Sequence, residues 1–168
     1  MAKAATDSCF DIAQWFVERA RFEHSYLQAQ KLQRLLWLAQ GHYAATYHGR
    51  KLMPATFVAM TIGPREPNIY RAYELGRPAI PDMLPPAEVI TFLDRLWGRF
   101  GHHSAEHLDK LVRAQRVYTE ALEKGEGEEI PFEKIARYYS EQRNVKPRTI
   151  VRSTDGREWK KWTPRTVK

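Results

Sequence analysis

The string His103-Ser104-Ala105-Glu106-His107 has the residue types and spacing of H-x-x-E-H. In that pattern two histidines from successive helical turns face one zinc ion and the glutamate serves as base. The chemistry needs one helix carrying both rings and a further carboxylate to complete the metal shell. Ser104 points elsewhere: as an N-cap it leaves His103 outside the helix and aims the two rings differently, so a zinc-dependent hydrolase is a remote alternative, and the adjacent His102 suits adventitious metal binding better than catalysis. Cys9 is the one cysteine in the chain. It sits near the start of a predicted helix, whose N-terminus would lower a thiol pKa, yet no sequence feature supplies the positioned base a nucleophile requires. Gly125 and Gly127 are followed by glutamates instead of the Lys-Ser/Thr of a phosphate-binding loop, which argues against ATP binding. These residues assign no catalytic, cofactor or metal site, and the chain reads as a non-enzyme.

Binding is the chemistry that remains. From Val145 onward there are eight basic residues and two acidic ones, which is +6 of the net charge of +7. Arg148, Arg152, Lys160 and Lys161 are interleaved there with Trp159 and Trp162. Such a segment can hold phosphates while bases stack on the rings, can grip an acidic protein surface, or can be a solvated edge with no partner. The rest of the chain is nearly balanced, so composition gives the main body no nucleic-acid surface. Among the aromatic residues in predicted helices, Phe16, Tyr43, Phe92 and Trp97 are core candidates. Trp15 and Trp37 fall off the main apolar stripes and are candidate contact residues.

The elements that must position these residues follow from periodicity. Leu32, Leu35, Leu36, Ala39, Tyr43 and Tyr47 recur at three- and four-residue steps, which predicts a buried central helix over residues 27–47, closed by a left-handed Gly49. Residues 55–62, with their β-branched and aromatic content, predict a strand. Gly63 and Pro64 then set a rigid turn, and Pro67 opens a short helix over residues 68–75. Before the central helix, Ser8 caps a helix that turns Ile12, Ala13, Phe16, Val17 and Ala20 inward. After the turn comes a proline-rich loop over residues 77–86. A helix follows with Val89, Ile90, Leu93, Leu96, Trp97 and Phe100 inward, ending at Gly101. Ser104 caps a further helix expected to run to about Leu122, EKGEGEE reads as a solvated turn, and Pro131 opens a last helix through Phe132, Ile135, Ala136 and Tyr139. Residues 148–152 and 158–163 flank Asp155-Gly156 as a hairpin. They are the only other β-like segments in this reading, so by elimination the 55–62 strand is expected to pair with them. The predicted fold class is mainly α with a small antiparallel β-sheet (α+β): one helical domain over residues 1–144, with the basic hairpin of 145–168 packed on it.

Three pieces in order, KLQRLLWLAQGHYAATYHGRKL, the strand ending Thr61-Ile62, and the GP-x-x-P-x-IY turn at Gly63, Pro64, Pro67, Ile69 and Tyr70, resemble the Panacea-domain family, that of the SocA antitoxin. The resemblance runs from Phe10 to about Tyr118, through Asp11-Ile12-Ala13-Gln14-Trp15-Phe16 upstream and the segment from Leu93 to Gly101 downstream. It departs from the family pattern where Val112-Arg113 and Val117-Tyr118 stand in place of a Thr-His pair and a Pro-Trp pair. The resemblance implies an antitoxin of a bacterial toxin–antitoxin pair. Such a protein binds its cognate toxin and serves as a proteolytic adaptor that delivers it to the ClpXP protease through ClpX. It also implies two surfaces. Arg65 and Tyr70 at the GP turn, with Trp15 and Trp37, are candidates for one, and Arg148, Arg152, Trp159, Lys160, Lys161 and Trp162 for the other. A nucleic-acid-binding regulator that uses the basic segment is the alternative reading.

At 168 residues the chain is long enough to bury a core without disulfides or metal. A single cysteine agrees with a reducing compartment, no signal-peptide-like run opens the sequence, and no segment approaches the roughly 20 apolar residues needed to span a bilayer. The expectation is a soluble cytoplasmic protein with no membrane partner.

Overall fold

The computed structural model of the chain describes residues 3–81, 83–144, 150–152 and 158–160. Its axis is a helix, α2, over Ala29–Thr46, with α1 (Cys9–Phe22) preceding it. Leu32, Leu35, Leu36, Ala39 and Tyr43 of α2 are buried, as their spacing predicts, and so are Gln33, Arg34, Trp37, Leu38, Gln40 and Gly41. A helix buried all round must be covered on several sides, and its buried polar groups must find partners. Gln40 shows how this is met: its Oε1 accepts from the backbone N–H groups of Leu52 and Met53 at 3.2 Å each, and its Nε2 donates to the Met53 carbonyl at 3.0 Å. One buried amide thus holds the loop that leaves α2. The helix ends where expected: the Gly49 N–H reaches back to the Ala44 carbonyl at 2.7 Å, with His48 and Gly49 both at positive φ.

The predicted strand is shorter, β1 at Phe57–Met60, and it pairs differently from the expectation. Gly63–Arg65, read from sequence as part of a turn, forms β2, joined to β1 by a two-residue connection at Thr61-Ile62. On the other side of β1 lies β3, Glu128–Ile130, formed by the stretch read as a solvated acidic turn. The sheet order is β2-β1-β3, all antiparallel, and the expected pairing of β1 with the C-terminal hairpin is therefore corrected. The hairpin strands Ile150–Arg152 (β4) and Glu158–Lys160 (β5) pair with each other as a separate two-stranded sheet. Elimination misled because Gly63-Pro64 and Glu-rich segments score poorly as strands, while the unpaired backbone of β1 took partners brought beside it by the chain. Phe57 and Ala59 point inward, and Phe57 meets Trp37 edge-on with ring centroids 5.3 Å apart.

Five further helices close the core. Helix α3 (Pro67–Glu74) follows β2, and α4 (Ala87–Phe100) buries Val89, Phe92, Leu93, Leu96, Trp97 and Phe100 after the proline-rich loop. The helix predicted from Ser104 to about Leu122 is two helices, α5 (Ala105–Arg113) and α6 (Arg116–Lys124). The break falls at Ala114-Gln115, where the polar Gln115 turns inward. Gln115 Oε1 accepts from Trp37 Nε1 at 2.8 Å and from the Tyr139 hydroxyl at 3.0 Å. Helix α7 (Phe132–Asn144) lies against α2, with Ile135 and Tyr139 buried. Gly41 permits that approach, because a Cβ there would overlap the Tyr139 ring. Among the described residues no helix is long and apolar enough to cross a membrane.

Candidate functional site

The GP turn is fixed from beneath by side chains of α2. Arg34 is 1% exposed, and its guanidinium donates to the carbonyls of Ile62 and Pro64, the latter at 2.8 Å, while Nε meets Asp109 Oδ1 at 2.5 Å. Burial lowers the Arg34 pKa and Asp109 opposes that shift. An arginine stays protonated in either case, so the buried charge is balanced by one carboxylate and two carbonyl dipoles. Gly63 has φ of +120°, and a Cβ on it would collide with the Arg34 guanidinium, so glycine is required there for two reasons. Beside it Gln33 Oε1 accepts from the Glu66 N–H at 2.8 Å, and the buried Glu66 carboxylate caps α3 through the Ile69 N–H at 2.7 Å. Outside this clamp Arg65 and Tyr70 are brought together: the guanidinium carbon lies 3.5 Å from the Tyr70 ring centroid, and both residues are half-buried. Ile62 at the tip of the same hairpin is 49% exposed.

The other predicted contact residues separate. Trp15 is half-buried, edge-on to Phe16, with the Arg19 guanidinium 5.7 Å from its ring centroid, and it lines a surface cavity with Met83 and Leu84. Trp37 is fully buried and spends its one donor on Gln115, so it is core and not a contact residue. It falls off the apolar stripe because α2 is covered on every side, which makes stripe membership a poor guide to exposure here. Arg152, Trp159 and Lys160 belong to β4 and β5, while Arg148, Lys161 and Trp162 lie outside the described residues. Trp159 stands across from Val151 in the hairpin register.

The candidates for catalysis also find definite places. Ser104 is the N-cap of α5, its hydroxyl accepting from the His107 N–H at 3.1 Å, so His103 is outside the helix as expected. The two rings are nevertheless not turned apart; they stack with centroids 4.3 Å apart and 24° between planes. Among the described residues no group of three or more His, Cys, Asp or Glu stands where it could hold a metal. Cys9, expected to be acidified by its helix N-terminus, goes the other way: burial, with Glu66 adding to it, pushes the thiol up to about 12. Desolvation outweighs the helix-end stabilisation of the thiolate, because this residue is 7% exposed within the core.

One further cavity involves none of the residues that the sequence singles out for function. About 600 Å³ in volume, it lies between α2, α4, the α5–α6 break and α7, and its lining includes His42, Arg99, Phe100, Leu111, Tyr138 and Arg143. His42 stacks on Phe100 with centroids 5.4 Å apart and meets Tyr139 edge-on at 4.9 Å. Burial, with Arg99 adding to it, pushes the imidazole pKa down to about 4. A lone histidine among the apolar residues of α2 was the available signal, but the four elements around it are distant in sequence and only the fold assembles them.

No family model, curated protein or solved structure matches the chain.

Proposed function

We propose that this chain is a non-enzymatic antitoxin that binds its cognate toxin and acts as a proteolytic adaptor, delivering the toxin to ClpXP through ClpX. The observation that carries the reading is the GP turn. The motif on which the family resemblance rests is held by two buried side chains of the central helix, Arg34 and Gln33, and it carries Arg65, Tyr70 and Ile62 outward. Arginine and tyrosine are the residue types that dominate protein–protein contacts, and a rigid support lowers the ordering cost of such a contact. An adaptor must hold two proteins at once, and the basic segment after residue 145, at +6, is the candidate for the second contact. In this reading the body around the turn binds toxin and the basic segment serves delivery. Modest affinity at each contact suffices, because linking substrate to protease raises their effective concentration.

The test is co-purification with the product of the adjacent gene, together with rescue of cells expressing that product. A stable complex and rescue are expected. Failure of both would end the antitoxin reading, and steep salt-dependent binding to duplex DNA in their place would favour a nucleic-acid-binding regulator.

A further inference from the structure

We infer that the cavity between α2, α4 and α7 is a binding site for a small aromatic carboxylate, an assignment independent of the antitoxin reading. Its volume of about 600 Å³ falls inside the range of roughly 300–1,000 Å³ typical of small-molecule sites. The walls are apolar and largely planar: Phe100 and the imidazole of His42 stack at 30° between planes, and Tyr138 and Tyr139 meet at 79° with Leu38 and Leu111 alongside. Flat rings offering both faces and edges favour an aromatic guest.

Charge selects an anion. Arg99 and Arg143 line the cavity and are exposed, and no carboxylate side chain lines it among the described residues. Arg99 lies over the Phe100 ring at 4.8 Å, and Arg143 donates to the Ala45 carbonyl at 2.9 Å, which leaves most guanidinium donors unused. Neither arginine forms an ion pair among the described residues. A neutral His42 in the lining offers a hydrogen bond without adding a buried charge.

Gln115 supplies a reporter, because it lines the cavity and accepts the indole N–H of the buried Trp37. The full-length, nitrogen-labelled chain would be titrated with naphthalene acetate and, separately, with its neutral amide, while the indole N–H resonances are followed. The expected result is saturable movement of the Trp37 signal, assigned by its loss in Trp37→Phe, with the acid bound at least about tenfold more tightly than the amide, as loss of a charge-assisted contact implies. Arg99→Gln and Arg143→Gln should each weaken the acid and leave the amide unchanged, in variants whose thermal unfolding matches the wild type. Equal affinity for acid and amide, an unmoved Trp37 signal at saturation, or undiminished acid binding when both arginines are replaced would overturn the assignment.

Discussion

At the scale of single residues, burial decides chemistry here more than position along a helix does. Cys9 occupies the first turn of α1, where partial positive charge favours a thiolate, but the sulfur is enclosed by the core and its pKa is pushed up to about 12. At pH 8 the thiol is therefore protonated, and the residue is only 7% exposed. Folded protein is expected to resist iodoacetamide over hours at that pH and to be labelled at once in denaturant; rapid labelling of the folded chain would place the sulfur at the surface. Trp37 makes the same point from the opposite side. From sequence it was a contact candidate because it lies off the apolar stripe, and it proves to be 0% exposed, hydrogen-bonded to Gln115. What could not be read was that Gln115, 78 positions further on, would turn inward to meet it. Arg34 was unread for a similar reason, since an arginine in a helix is ordinarily a solvated side chain.

At the scale of elements, the helices were largely legible and the sheet was not. Ser8 and Ser104 cap α1 and α5, Pro67 opens α3 and Gly49 closes α2, all from local chemistry that sequence states directly. Pairing of β1 is a long-range property: β3 lies about seventy residues away, and its Glu-rich composition carries no strand signal. The α5–α6 break was marked by the polar Gln115 in an apolar pattern, but marking a break requires knowing that the amide has partners inside. The contact between α2 and α7 is the place where element packing is most constrained, because Gly41 gives the Tyr139 ring the room a methyl group would take. Gly41→Ala is expected to destabilise the fold by about 1–3 kcal/mol as an overpacking change, despite the better helix propensity of alanine. Urea denaturation measures this directly. A stabilised variant would mean that Tyr139 can retreat without loss of its bond to Gln115.

At the scale of the whole molecule, charge divides the chain in two. Residues 1–144 are nearly neutral and built around a buried helix, and the segment after residue 145 carries +6. If that segment serves delivery, charge reversal at both Lys160 and Lys161 should slow protease-dependent toxin loss and spare toxin affinity, with the defect deepest at low salt, where surface electrostatics are least screened. A fall in toxin affinity with protease engagement intact would reverse the assignment of the two surfaces. Binding of the candidate toxin alone does not distinguish an adaptor from an occluding partner, since either would neutralise it. The most direct measurement is the half-life of purified toxin incubated with ClpXP and ATP, with and without the full-length chain at equal concentration. The account predicts rapid loss of toxin only when the chain is present, with the chain itself surviving. A toxin that binds the chain tightly yet persists as long with it as without it would contradict the account.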